Sequence, residues 1–253
     1  MGRIGIIGGT GLDQLAALES VQACAVETPW GRPSAPLRCG RLAGVDVVFL
    51  ARHGDQHQFP PHAINYRANL WALREQGVEA IVAVAAVGGI GQDFAPAALS
   101  IPDQVIDYTS GRDTTFYTPD APLEAFQRVE HIDFSWPYDA ALRDELIAAA
   151  RELALPCAER GVYGATNGPR LETAAEIRRM AQDGCTMVGM TGMPEAVLAR
   201  ELAIPFAMCA VSANWGAGLT EDEITMDEIH ANLKLGMQRV VSVLRTWLQN
   251  RAR

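Results

Sequence analysis

The sequence predicts an α/β fold: one domain over residues 1–253, with a central mixed, largely parallel sheet flanked by helices. Three observations predict it. Short apolar runs alternate with stretches of helical periodicity along the whole chain. Residues 79–87 are nearly all Ala, Val and Ile, as expected of a strand covered on both faces. Glycines repeatedly follow the apolar runs, where strands hand over to helices. No stretch is long enough to act as a linker, and there are no repeats or low-complexity tracts.

In order, residues 3–7 read as a buried strand closed at once by Gly8-Gly9-Thr10-Gly11-Leu12. The spacing is not G-x-G-x-x-G opening a long helix, so a dinucleotide fingerprint fits poorly. Two readings stay open: a compact phosphate turn in which Thr10 donates its hydroxyl, or a tight turn with an exposed threonine. Val45–Ala51 is a second buried strand and delivers Arg52-His53-Gly54 to its C-terminal end, where α/β sites lie. The donor fork of Arg52 suits a phosphate and His53 can add a hydrogen bond. A strand-end arginine in a surface ion pair fits the segment equally well. Residues 65–76 predict a helix stopped by Gly77, and the strand of residues 79–87 runs into Gly88-Gly89, on which a flat ligand can lie.

Residues 101–107 begin a further segment, and residues 109–122 predict a turn-rich surface excursion or subunit contact, followed by His131. Residues 140–153 read as a helix and residues 161–166 as a strand, which runs out through Asn167-Gly168-Pro169-Arg170-Leu171-Glu172-Thr173 into a helix over 174–181. At residues 188–195 another apolar run ends. Two glycines free the backbone there, and Pro194 stands in the first turn of a helix continued by residues 196–202. That crossing leaves Met190 and Thr191 beside a helix N-terminus, whose unpaired N–H groups attract anions. Residues 205–211 form the last strand, leading through Ser212-Ala213-Asn214-Trp215-Gly216 to a long amphipathic helix over 226–248.

The composition, 49% hydrophobic and 20% charged, is ordinary for a soluble globular protein with an ample core. A formal net charge of -9 argues against nucleic acid as the main partner, while leaving room for a local anion pocket. Cys24, Cys39, Cys157, Cys185 and Cys209 are odd in number and form no CxxC pair, so they read as reduced thiols of a cytoplasmic protein. No metal site is expected from them. The chain enters its first strand with no signal peptide, and no apolar run is long enough to span a membrane.

Set in order, these segments resemble the trimeric purine nucleoside phosphorylase family, and within it the methylthioadenosine phosphorylase branch. The resemblance covers nearly the whole chain. It rests on Gly8-Gly9-Thr10-Gly11-Leu12, Ala51-Arg52-His53-Gly54, Asn65-Tyr66-x-Ala68-Asn69-x-Trp71-Ala72-Leu73, Gly168-Pro169-Arg170 and Met190-Thr191-x-x-Pro194-Glu195. It implies a homotrimer that performs phosphorolysis, inorganic phosphate displacing a purine from C1′ of a ribosyl group. Phosphate and nucleoside are then the partners, and no metal or organic cofactor is needed. By resemblance, Thr10, Arg52, His53 and Thr191 hold phosphate, with the backbone near Ala85 and Ala86 assisting. Met190 packs against the ribose, Leu171 joins the substrate contacts, and His131 reaches into a neighbouring subunit's site. Breaking the glycosidic bond builds oxocarbenium character, so an anion beside C1′ both attacks and stabilises the charge. Ala85 and Gly89 stand where the branch usually has hydroxyl residues, so a hydroxyl contact from position 85 is lost.

Further departures bear on the substrate. The methylthioadenosine branch carries Asp where this chain has Asn214, and a small Ser where it has Glu172; inosine and guanosine phosphorylases show Glu with Asn. Asn214 can donate to O6 of a 6-oxopurine and accept from N7 as that nitrogen becomes protonated on departure. Glu172 can accept N1–H, whereas adenine's N1 would leave it unpaired. A simpler use for Glu172 is to cap the following helix. Gly216 leaves room around the base. At the other end, inosine enzymes hold the 5′-hydroxyl with a histidine, and the matching position falls near Met226, whose thioether suits a methylthio group; Met226 as ordinary helix core also fits. The substrate expected is S-methyl-5′-thioinosine, with methylthioadenosine or inosine and guanosine as alternatives. A nucleosidase using water, or a dinucleotide-binding protein, are the rivals from other classes.

Overall fold

The computed structural model describes residues 2–10, 12, 18–221 and 223–253, so Gly11 of the first glycine turn lies outside the described residues. Its strands are β1 (Arg3–Gly8), β2 (Glu19–Cys24), β3 (Leu37–Leu42), β4 (Val45–Ala51), β5 (Val78–Gly89), β6 (Leu99–Ser100), β7 (Gln104–Asp107), β8 (Cys157–Ala158), β9 (Val162–Ala165), β10 (Met187–Gly189) and β11 (Phe206–Trp215). The helices are α1 (Tyr66–Glu75), α2 (Ala140–Glu152), α3 (Ala174–Gln182), α4 (Gly192–Glu201) and α5 (Met226–Arg251). All described strands join one sheet in the order β2-β3-β4-β1-β5-β10-β9-β7, with β11 branching from β5 and carrying β6 and then β8. Six strand pairings are parallel and four antiparallel, which makes the sheet mixed and largely parallel as expected.

Helices cover both faces. The side chains of α2 and α5, among them Leu146, Val240 and Trp247, pack with Ile4, Ile6, Val47 and Phe49 on one side. Those of α1 and α4, including Leu70 and Leu198, pack with Ile7, Leu50 and Ile81 on the other. Strands buried on both faces need apolar residues at every position, and β11 is buried at nine of its ten. The helix starts follow capping chemistry: Asn65, Asp139, Thr173 and Thr225 each accept a backbone N–H of the first turn.

The organising feature is the change of neighbours along β5. One edge pairs with β11 from Ile81 to Gly89. The other pairs with β1 only as far as Ala83, and then with β10 from Gly88. Among the described residues, none forms a strand on that edge beside residues 84–87. Their main chain faces the turn after β1, at a switch of strand neighbours where α/β proteins bind ligands.

One expectation is corrected, and two strands are added. The stretch 109–122 is no mere surface excursion: Phe116 is fully buried, its ring 5.1 Å from Trp30 and 5.8 Å from Trp71. The antiparallel strands β2 and β3, which extend the sheet beyond β4, were not expected at all.

Candidate active site

Beside the open edge of β5 lies a cavity of about 170 Å³. It gathers Thr10, Arg52, His53, Ala85, Ala86, Leu171, Glu172, Met190, Thr191, Asn214 and Gly216 from six separate stretches of chain. Of the expected site residues, only Met226 and His131 are not among its walls. A larger cavity of about 540 Å³ opens on the far side of Glu172. Its arginines are already engaged, Arg170 with Glu176 at 2.7 Å and Arg179 with Asp183 at 3.8 Å, so the chemistry belongs to the smaller one.

At one end stands Arg52, 1% exposed. It is not the surface ion pair that its segment alone allowed. Nε and Nη2 donate to the two carboxylate oxygens of Glu195 at 2.6 and 2.7 Å, and Nη1 donates to the Val84 carbonyl at 2.9 Å. Burial opposes its charge, yet the Glu195 carboxylate outweighs that and holds its pKa above the usual value. Three of the five N–H groups are thus used, and two remain for an anion. Gly9 makes this possible, because a Cβ there would sit 2.5 Å from Nη1.

His53 presents its Nδ1 2.8 Å from the Phe59 carbonyl and stacks on His57 with centroids 4.4 Å apart. Burial, and then the Arg52 charge, lower its pKa from 6.5 to about 4, so the ring is neutral at pH 7. Thr191 begins α4 but its side chain does not cap it. The buried phenol oxygen of Tyr163 accepts the Thr191 and Gly192 N–H groups instead, both at 3.2 Å. Gly189 and Gly192 are required there, since a Cβ on either would fall within 2.7 Å of the Tyr163 ring or oxygen. Met193 stays extended (φ -117°, ψ 136°), and regular helix runs on from Pro194.

At the other end, Asn214 is aimed by a bulge. Ser212 pairs with Val87 but Asn214 with Gly88, so Ala213 is the extra residue of β11. Its Nδ2 donates to the Trp215 carbonyl at 2.6 Å, which leaves one N–H and the Oδ1 acceptor for a ligand. Glu172 does not cap α3; Thr173 and Glu176 form the capping box. Instead Thr166 Oγ1 donates to Glu172 Oε1 at 2.7 Å, steadying a carboxylate whose other oxygen makes no such bond. Leu171 stands half-exposed at the rim. Gly216 N–H donates to the Gly89 carbonyl at 2.7 Å, which binds the rim to the end of β5.

Met226 is 59% exposed and is not part of the cavity wall. As the first residue of α5, just past its Thr225 cap, it precedes the inward-facing turns of that helix. Ile224, Ile229 and Leu233 provide the apolar wall instead, beside Met190. His131 lies exposed in the long connection before α2. Glu195 and Tyr163 were missed as contributors, and so was Arg112, whose guanidinium donates to the carbonyls of Met190, Met193, Thr166 and Asn167 at 2.8, 2.6, 3.1 and 3.1 Å. It pins the Thr191 loop to the loop that leads to Glu172. Among the described residues, no group of three or more His, Cys, Asp and Glu side chains is placed to share a metal ion.

Comparison with known proteins bears on the family and the fold. The phosphorylase superfamily profile matches residues 3–249. A relative from Pseudomonas syringae pv. tomato, named a probable S-methyl-5′-thioinosine phosphorylase, is 50% identical over 239 residues, covering 94% of this chain and 95% of its own. One of the same name from Xanthomonas campestris pv. campestris is 51% identical over 231 residues, covering 91% and 90%. The solved structure of methylthioadenosine phosphorylase from Schistosoma mansoni in complex with adenine superposes with a TM-score of 0.94 at 31% identity, covering 100% of this chain and 93% of the other. With the profile matched from the first strand to the end of α5, and relatives half identical over nearly their full length, the chain belongs to the phosphorylase superfamily.

Proposed function

We propose that this enzyme catalyses phosphorolysis of S-methyl-5′-thioinosine, releasing hypoxanthine and 5-methylthioribose 1-phosphate. The observation that carries the reading is one cavity walled by three chemically distinct groups: Arg52, His53, Thr10 and Thr191; Glu172 and Asn214; and Ile224, Ile229 and Leu233. Phosphate sits by the first group, against the open main chain near Ala85 and Ala86, with one oxygen directed at C1′. Glu172 accepts N1–H of the base, and Asn214 donates to O6 and accepts a hydrogen bond from N7–H, N7 taking up a proton from solvent as the C1′–N9 bond breaks. Met190 packs on the ribose. Among the described residues, Ile224, Ile229 and Leu233 offer only apolar contact, which suits a methylthio group better than a 5′-hydroxyl and separates this reading from inosine. Adenine would leave the Glu172 carboxylate facing its N1 lone pair, which separates it from methylthioadenosine.

The names of the half-identical relatives support the same substrate. The reaction uses inorganic phosphate as co-substrate and needs no metal or organic cofactor. The working unit is a cytoplasmic homotrimer in which the exposed His131 of each subunit reaches its neighbour's cavity. The test is a parallel assay of methylthioinosine, methylthioadenosine and inosine, with and without phosphate, following the released base. Phosphate-dependent hypoxanthine release is fastest from methylthioinosine. Faster adenine release overturns the roles of Glu172 and Asn214, faster turnover of inosine overturns the role of the apolar wall, and phosphate-independent release overturns phosphorolysis itself.

A further inference from the structure

We infer that His53 meets the bound anion as a hydrogen-bond acceptor, and that it thereby selects an oxyanion carrying a proton, phosphate or arsenate, over sulfate. The inference rests on the phosphorolysis reading only for where the anion sits. A carbonyl oxygen can only accept, so the 2.8 Å contact between Nδ1 and Phe59 O requires the proton on Nδ1. In a neutral ring Nε2 is then a bare lone pair. Nδ1 is turned to Phe59, and His53 lines the cavity, so Nε2 is the nitrogen left for the ligand. No described residue hydrogen-bonds it.

The surroundings keep the ring neutral. His53 is 6% exposed, it follows the buried Arg52 cation in the chain, and it stacks on a second imidazole, His57. The carboxylate that α4 brings near, Glu195, gives both oxygens to Arg52. Asp55, two residues along, pairs with Arg38 at the surface. From α1 comes Tyr66, a phenol that burial holds in its protonated form. Among the described residues, nothing acidic is left to stabilise an imidazolium.

Near neutral pH, phosphate and arsenate each carry at least one acidic O–H that can be donated to Nε2; sulfate carries none. A sulfate oxygen in the same place would oppose one lone pair with another, at a ring that is 6% exposed. An unpaired buried acceptor pair of this kind lowers affinity by roughly 10- to 100-fold. Arg52 offers donors only and treats the two anions alike, and the Thr10 and Thr191 hydroxyls can turn to donate to either, so the fixed acceptor that tells them apart is His53.

The experiment is calorimetric titration of the full chain at pH 7.5 with phosphate, arsenate and sulfate in the absence of nucleoside, on wild type and on His53→Lys, which offers donors only. In wild type, phosphate and arsenate bind within a few-fold of each other and sulfate binds at least about tenfold more weakly. In His53→Lys that ratio collapses. Sulfate binding as well as phosphate in wild type overturns the inference, as does His53→Lys keeping the wild-type ratio. The wild-type ratio decides the matter even where the lysine variant does not fold. Failure of the phosphorolysis reading shows separately, as base release that ignores phosphate while the anion ratio stands.

Discussion

Changing Glu195 to glutamine isolates the contribution of the buried ion pair. Glu195 is 0% exposed and Arg52 1%, and the guanidinium meets both carboxylate oxygens at 2.6 and 2.7 Å. Glutamine keeps the shape and one acceptor oxygen, but turns an NH2 group toward a guanidinium donor and leaves the cation without its counter-charge. Removing one partner of a buried pair costs about 3–5 kcal/mol. The retained amide oxygen and the bond to Val84 O place this variant near the lower end, at about 3 kcal/mol. For a chain of this length that is a fall in Tm of roughly 6–12 °C. The assay is thermal unfolding in the presence and absence of phosphate. An anion bound against the unmasked Arg52 restores part of the lost charge balance, so phosphate raises the variant's Tm more than the wild type's. An unchanged Tm, or an equal response to phosphate, would refute the view that Glu195 balances Arg52.

Arg112→Met removes the tie between the two site loops, and we expect kcat/KM to fall roughly 100-fold, with Arg112→Lys recovering only part because an ammonium cannot span four carbonyls; steady-state kinetics equal to wild type would sink the assignment. Combining Asn214→Asp with Glu172→Ser should shift the ratio of methylthioadenosine to methylthioinosine turnover toward adenine by about 100-fold or more, and an unmoved ratio would mean the base lies elsewhere. Ile229→Asn should weaken kcat/KM for the 5′-methylthio substrate by roughly tenfold or more, while Met226→His, on an exposed site, leaves the preference between methylthioinosine and inosine as it was. Acid stability carries the sign of His53: its folded pKa is about 4 against an ordinary 6.5, so the unfolded ring binds more protons between those values. The stability contributed is full above pH 6.5 and is lost as pH falls toward 4, by up to about 3 kcal/mol. Urea midpoints at pH 7.5 and 4.5 should converge in His53→Asn, and a wild-type pH dependence in that variant would locate the effect in another group.

Much of the fold was legible because β1, β4, β5 and β11 are buried on both faces and leave continuous apolar runs. The edge strand β2 left no such trace: five of its six residues are exposed, and Glu19, Ser20 and Gln22 read as loop. The site was legible where chemistry and position coincide, at Arg52 and His53 after β4, at Thr191 before α4, and at Asn214 near the end of β11. Partners were not. Arg52 and Glu195 lie 143 residues apart, and no local pattern pairs them; the available signal was an acid in the first turn of a helix with apolar residues around it. Met226 was misplaced for a different reason. Which residues of α5 face inward depends on where that helix starts and how it leans on β11, and neither can be counted along the chain from Asn214.

The missing neighbour beside residues 84–87 of β5 ties activity to the length of a strand. If β1 ran on as straight pairing for a few more residues, the ladder would close, the sheet would gain hydrogen bonds, and the place for an anion would vanish. If phosphate binds there as proposed, the early stop at Gly8 leaves a gap in the sheet that substrate completes, and a variant that closes the ladder trades activity for stability. On the proposed phosphate site it also accounts for the plainness of Ala85 and Ala86: a main chain that serves as a binding surface needs small side chains beside it.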